Sequence, residues 1–183
     1  MSKKEEVKEL YDKSAETYDG RYGDIQEEKY HIMLQDLKLK KPILDLGCGT
    51  GLLGKFLKAQ AERISAGHSG TRSARARKGI IGVDISLEML KKGSGARVQG
   101  DIENLPFKDK TFPTVVSFTA LQNLEDAEKM LLGVKRVLKG NGIFMLTFLN
   151  KQIDAIKIVE NHFKIIEMKT CGEDIGLVLS ADK

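Results

Sequence analysis

The chain has few of the residues that build covalent or metal frameworks: 183 residues hold two cysteines, three histidines and no tryptophan. Cys48 and Cys171 provide no disulfide framework, and His31, His68 and His162 lie too scattered to form a zinc-ligand spacing with them. No apolar run approaches the ~18 residues that a membrane span needs. The N-terminus, Met1-Ser2-Lys3-Lys4-Glu5-Glu6, has no apolar signal core behind it, so a cytoplasmic protein without a metal is expected. Apolar residues make up 41% and charged residues 31%, the balance of a water-soluble globular domain.

A chain-wide excess of one charge is also missing. The net charge is +4, and the stretch 60–78 accounts for it: Arg63, Arg72, Arg75, Arg77 and Lys78 against Glu62 give five minus one. A chain-wide basic bias would suggest nucleic acid as a partner. A bias confined to one Ser-, Gly-, Ala- and Arg-rich stretch without apolar period predicts a flexible insertion. It reads either as an idiosyncratic loop or as an RNA-gripping arm of the arginine-rich kind.

Apolar periodicity organises the remainder. Helices are expected from about Glu5 to Tyr18 and from about Ile25 to Leu37, with Gly20 and Gly23 punctuating the gap. Strand Pro42–Leu46 leads to helix Thr50–Lys58. Strand Ile80–Asp84 leads to helix Leu87–Lys92, which Ser86 can cap. A short strand follows at Ala96–Gln99. The β-branched run Thr114–Phe118 reads as a buried parallel strand. Helix Asp126–Leu138, strand Gly142–Leu149 and helix Lys151–His162 come next. Strands Lys164–Lys169 and Ile175–Leu179 have no helix between them and should form a hairpin. Alternating strands and helices imply an α/β, doubly wound, mostly parallel sheet in a single domain, 1–183, with the last strand antiparallel.

Ile43-Leu44-Asp45-Leu46-Gly47-Cys48-Gly49-Thr50-Gly51 carries the most information. An apolar strand ends in a carboxylate, and glycines follow at alternate positions. Such a turn lets a ligand lie against the backbone. The carboxylate repels pyrophosphate and attracts an amino group, so a nucleoside-like ligand with positive charge fits, and S-adenosylmethionine is one. Gly49, Gly51 and Gly54 also spell the dinucleotide fingerprint, G-x-G-x-x-G. That fingerprint begins directly after the strand, and a start at Gly47 would need glycine at Leu52.

Asp45-Leu46-Gly47-Cys48-Gly49-Thr50-Gly51 resembles the first motif of the class I S-adenosylmethionine-dependent methyltransferases. The resemblance implies a Rossmann-like seven-stranded sheet of order 3-2-1-4-5-7-6 and S-adenosylmethionine as cofactor, with S-adenosylhomocysteine as product. It implies that Asp45, Gly47, Cys48, Gly49 and Gly51 hold the cofactor's amino-acid end. Asp84, with Ile85, would take the ribose hydroxyls. Asp101 would accept from the adenine amino group while Ile102 packs on the ring, and Phe118 would complete the site. Three acids at consecutive strand tips beside a glycine turn are harder to explain structurally than any one of them.

The segment Tyr11–Asp19 resembles the lid of the small ubiquinone- and menaquinone-biosynthesis methyltransferases, so residues 1–40 are expected to form a helical lid with Tyr18 lining the pocket. Tyr11 and Tyr18 could equally share a packed helix face. Gln122 and Asn123, after the fourth strand, are candidates to orient substrate, although Asn123 could instead cap a helix. No Asn-Pro-Pro-Tyr stands there, which argues against the nucleobase- and glutamine-amide class, and no catalytic base is legible. Strand four opens Phe112-Pro113-Thr114, where relatives carry Phe-Asp. The expected function is methyl transfer to a small molecule. The alternatives are methylation of RNA or a translation protein, with or without a small partner subunit, and a non-catalytic cofactor-binding relative.

Overall fold

The computed structural model describes residues 1–66 and 79–181. Helix α1 (Lys3–Ser14) starts in a capping box: Ser2 Oγ accepts from Glu5 N–H at 3.3 Å and Glu5 accepts from Ser2 N–H at 2.8 Å. Helix α2 (Tyr18–Leu34) and strand β1 (Ile43–Leu46) follow, then α3 (Leu52–Ala66), β2 (Ile80–Asp84), α4 (Leu87–Lys91) and β3 (Ala96–Gln99). Beyond them lie β4 (Phe112–Phe118), α5 (Ala127–Val137), β5 (Leu138–Leu149), α6 (Ala155–His162), β6 (Lys164–Cys171) and β7 (Asp174–Ser180).

The seven strands form one sheet in the order β3-β2-β1-β4-β5-β7-β6, as the resemblance implied. Strands β1 to β5 pair in parallel, and β7 runs antiparallel to both β5 and β6. Every residue of β1 and β4 is buried, because helices cover both faces of the sheet. Alternate strand residues feed two cores. Leu44, Leu46 and Val115 pack with Met130, Leu131 and Val134 of α5, while Ile43 and Val116 pack with Tyr30, Met33 and Phe56 of α2 and α3.

Element boundaries differ from expectation where tertiary packing overrides local signals. Helix α2 begins at Tyr18 and runs through Gly20 and Gly23; burial of Tyr30, Met33 and Leu34 holds it despite the glycine cost. Helix α3 continues past Lys58 to Ala66, so the first residues of the expected insertion at 60–78 are helical. Residues 67–78 lie outside the described residues. Strand β4 includes Pro113, which sits where the ladder to β5 shifts register and no N–H is needed. Helix α6 starts at Ala155 because a short 3₁₀ turn occupies Asn150–Gln152.

Candidate cofactor cleft and acceptor groove

The carboxyl ends of the parallel strands meet at one edge, and the order reverses between β1 and β4. A cleft of about 660 Å³, its open mouth included, lies there. Gly47 and Gly49 form its floor, and Asp84 and Ile85 stand at the end of β2. Asp101 and Ile102 follow β3, and Phe118 and Asn123 come from the far side. Gly47 has φ +71°, and a Cβ there would come within 2.9 Å of Ala120 Cβ, so glycine is required on both counts.

Asp84 is 8% exposed and already shapes the turn. One oxygen accepts from Gly49 N–H at 2.8 Å and the other from Ser86 N–H at 2.9 Å. The Ile85 N–H also favours the carboxylate, and among the about four acceptor positions of Asp84 room remains for a hydroxyl donor. Burial raises its pKa, only partly offset by those N–H groups. Asp101 accepts from Glu103 N–H at 2.8 Å and from the Asn104 amide at 2.9 Å. The Lys4 ammonium of α1 lies 2.7 Å from Asp101 and 3.0 Å from Glu103. Burial alone would raise the Asp101 pKa, but Lys4 and the two amides outweigh it and hold the carboxyl below its ordinary value.

Three residues expected to touch cofactor stand outside the cleft wall. Asp45 lies beneath the turn, in a small recess with Tyr30 and Cys48. Burial, then the neighbouring Asp84, pushes its pKa up to about 7, and Arg97 pulls the other way. The Cys48 side chain packs toward Gly82, whose Cβ position is 2.5 Å from Sγ. Burial pushes that thiol up, so it is inert as a nucleophile at neutral pH. Gly51 turns to the rear, against Arg97.

Helices α1 and α2 roof the cleft. Tyr11 and Tyr18 contact edge to face at 6.1 Å, and Tyr18 lies 5.0 Å from Tyr22. Asn123 donates to the Tyr11 hydroxyl at 2.9 Å and so ties α1 to the turn after β4; the helix cap is Asp126, accepting from Lys129 N–H at 3.1 Å. Asp19, next to Tyr18, accepts from the Thr50 hydroxyl and pairs with Lys55 at 2.5 Å, fastening α2 to the glycine turn.

A second, wider groove meets the cleft at Tyr18 and Thr119 and runs between α1, α2 and the β6–β7 hairpin. Gln122 faces this groove and donates to the Thr119 carbonyl. Thr119 has φ +54°, a strained conformation for a β-branched residue. Its hydroxyl donates to Asp174 at 2.6 Å and accepts from Lys29 Nζ at 2.8 Å, and Lys29 pairs with Asp174 at 2.9 Å. Sequence motifs single out none of Lys4, Lys29, Arg97, Thr119 and Asp174. Lys29 follows Gln26-Glu27-Glu28 in α2, so its neighbours in the chain give no signal that it is buried.

Comparison with known proteins agrees with this geometry. The methyltransferase domain family profile matches residues 44–146. An uncharacterised protein of Methanocaldococcus jannaschii is 34% identical over 190 residues, covering 97% of this chain and 67% of that one. The malonyl-[acyl-carrier protein] O-methyltransferase of a Methylovorus species is 32% identical over 195 residues, covering 94% of this chain. The chain spans 61% of that enzyme's length. A Haloferax volcanii methyltransferase solved in complex with the Trm112 methyltransferase activator superposes with a TM-score of 0.73 at 16% identity, covering 97% of this chain and 98% of that one. A domain profile over more than half the chain, a sheet of the same order and a glycine turn flanked by strand-end acids converge: the chain belongs to the class I S-adenosylmethionine-dependent methyltransferases.

Proposed function

We propose that the chain transfers the methyl group of S-adenosylmethionine to a small-molecule acceptor held in the groove beside Thr119. The carrying observation is the meeting of two spaces at Tyr18 and Thr119: a narrow cleft with strand-end carboxylates, and a groove walled by Tyr11, Tyr18, Tyr22, Leu10 and Ile25. The residues present suit the cofactor. Bare backbone at Gly47 and Gly49 leaves room for the amino-acid end, Asp84 keeps room for a ribose hydroxyl, and Ile85 and Ile102 offer apolar walls to adenine.

Bound S-adenosylmethionine supplies a sulfonium, already a strong methyl donor. The chain's task is to hold a nucleophile about 3–3.5 Å from the methyl group and to keep water out. Tyr11 and Tyr18 close the roof, and the Thr119 hydroxyl, fixed by Lys29 and Asp174, presents a polar group where the spaces join. Gln122 and Asn123 border the same junction. The O-methyltransferase relative acts, by its name, on a malonyl group carried by the acyl-carrier protein, so the atom methylated there belongs to a small acyl unit on a protein carrier.

A second reading is favoured by two observations. The net charge sits in the stretch 60–78, and the Haloferax methyltransferase carries a small activator. On that reading the acceptor is RNA or a translation protein. Calorimetric titration with S-adenosylhomocysteine, followed by tracing of methyl-labelled S-adenosylmethionine, tests both. Micromolar binding that Asp84→Ala abolishes, with label in the low-mass fraction of a cell extract, is the expected result. Label only in RNA or protein would replace the first reading by the second. Binding without transfer to any fraction would leave a cofactor-binding relative.

A further inference from the structure

Arg97 lies outside the cleft, yet it ties together three segments behind the glycine turn. Its Nη2 donates to the Thr50 carbonyl at 3.1 Å, inside the turn itself. Its Nη1 donates to the Leu90 carbonyl at 3.2 Å, in α4, and its Nε to the Ser94 carbonyl at 3.2 Å. A cation is favoured at the carbonyl end of a helix such as α4.

The guanidinium also fills space that two glycines leave free. A Cβ at Gly51 would lie 2.0 Å from Nη2, and a Cβ at Gly93 would lie 1.8 Å from Nη1. Gly51 has φ +79° and needs glycine for its backbone as well; Gly93 has no such backbone requirement, so its bareness is explained by the arginine. The turn is thus clamped from two sides. Asp84 takes the Gly49 N–H from the cleft side, and Arg97 takes the Thr50 carbonyl from the rear.

The same guanidinium acts on Asp45 beneath the turn. The ionisable groups around that buried carboxyl are Asp84 on β2, Cys48 in the turn, Tyr30 on α2 and Arg97 on β3. Lys55, Lys58 and Glu62 of α3 border the rear space that Asp45 and Arg97 share. Burial and Asp84 favour the protonated acid, whereas Arg97 favours the carboxylate.

We infer that Arg97 is a positioning residue for cofactor binding, which sets the shape of the glycine turn and the charge beneath it. The inference rests on the S-adenosylmethionine reading of the cleft. Asp45 lies beneath the turn and does not line the cleft, so its charge acts on the ligand's amino group through the turn and not by contact; the ionised form favours that group, and affinity should rise with pH through about 7.

The test is calorimetric titration of S-adenosylhomocysteine into the full chain between about pH 5.5 and pH 7.5, below the reference pKa of about 7.7–8.0 for an α-amino group. Thermal unfolding serves as a check of folding. Arg97→Met should weaken binding by about tenfold or more and move the pH midpoint upward. Arg97→Lys keeps the charge but loses the fork, so affinity should fall while the midpoint stays near that of the wild type. Gly93→Ala keeps the arginine and dislodges it, and should lose affinity as Arg97→Lys does. Should Arg97→Met fail to fold, Gly93→Ala decides alone. Wild-type binding together with unchanged affinity and pH profile in Gly93→Ala and Arg97→Lys would overturn the role of Arg97. A wild type that does not bind at all would instead overturn the cofactor reading, and this inference with it.

Discussion

Lys4 stands where a ligand is expected. Its ammonium pairs with Asp101, the acid that the resemblance assigns to the adenine amino group, and with Glu103. Hydrogen bonding to Asp101 raises the Lys4 pKa, so the ammonium stays charged throughout the neutral range. An adenine amino group would therefore compete with this cation for Asp101, whose Oδ2 Lys4 contacts while Oδ1 accepts from Glu103 N–H. An ion pair of this partial exposure is worth about 1 kcal/mol, so Lys4→Met should tighten S-adenosylhomocysteine binding by about fivefold. Titration calorimetry reads this directly, and weaker binding would instead make Lys4 a ligand contact. Asp101 itself was legible in the sequence, because strand-end position and acidity are local properties. Lys4 was not, because nothing near it in the chain distinguishes it from Lys3.

At the scale of elements, α1 is held mainly by polar contacts. It has no buried residue. It docks through Lys4, through Asp12, which accepts from the Ser86 hydroxyl at 2.6 Å and Glu88 N–H at 3.3 Å, and through Tyr11 with Asn123; just beyond its end, Glu16 pairs with Lys92. By contrast, α5 buries Met130, Leu131, Val134 and Val137. Salt screens the first kind of attachment and not the second: the Debye length falls from ~30 Å at 0.01 M to ~3 Å at 1 M. Amide exchange over residues 3–14 should accelerate with salt while exchange in α5 does not change, as hydrogen-exchange mass spectrometry would show. An α1 indifferent to salt would mean that its partly buried apolar residues, such as Val7, carry the docking. Boundaries were the least legible feature. The run-on of α2 through Gly20 and Gly23, and of α3 past Lys58, depends on packing against the sheet that local propensity does not contain.

For the molecule as a whole, the site burdens the fold. Asp45 titrates near 7 in the folded chain against an ordinary 3.8, because burial and Asp84 oppose its charge; burial raises Asp84 too. A raised acid pKa gives stability that is complete below the unfolded value and lost as pH rises through the folded one. Stability should therefore fall between about pH 4 and pH 7, by up to about 4 kcal/mol from Asp45. Asp12, Asp19 and Asp101, whose pKa values are lowered, act oppositely and lose their contribution only below about pH 4. Urea unfolding from pH 4 to pH 8 should show the decline in the wild type and a flatter curve in Asp45→Asn. Equal slopes would exonerate Asp45. The sequence by itself determined the strand-and-helix alternation, the glycine turn and the acids at strand tips, because periodicity and turn chemistry act over a few residues. Only the tertiary structure decided which of those residues face the cleft. Asp45 and Cys48 turn beneath it, whereas Lys4 reaches Asp101 and Lys29 reaches Asp174 across long loops of chain. Those pairings exist because the folded core brings distant polar groups out of water together, where each must find a partner.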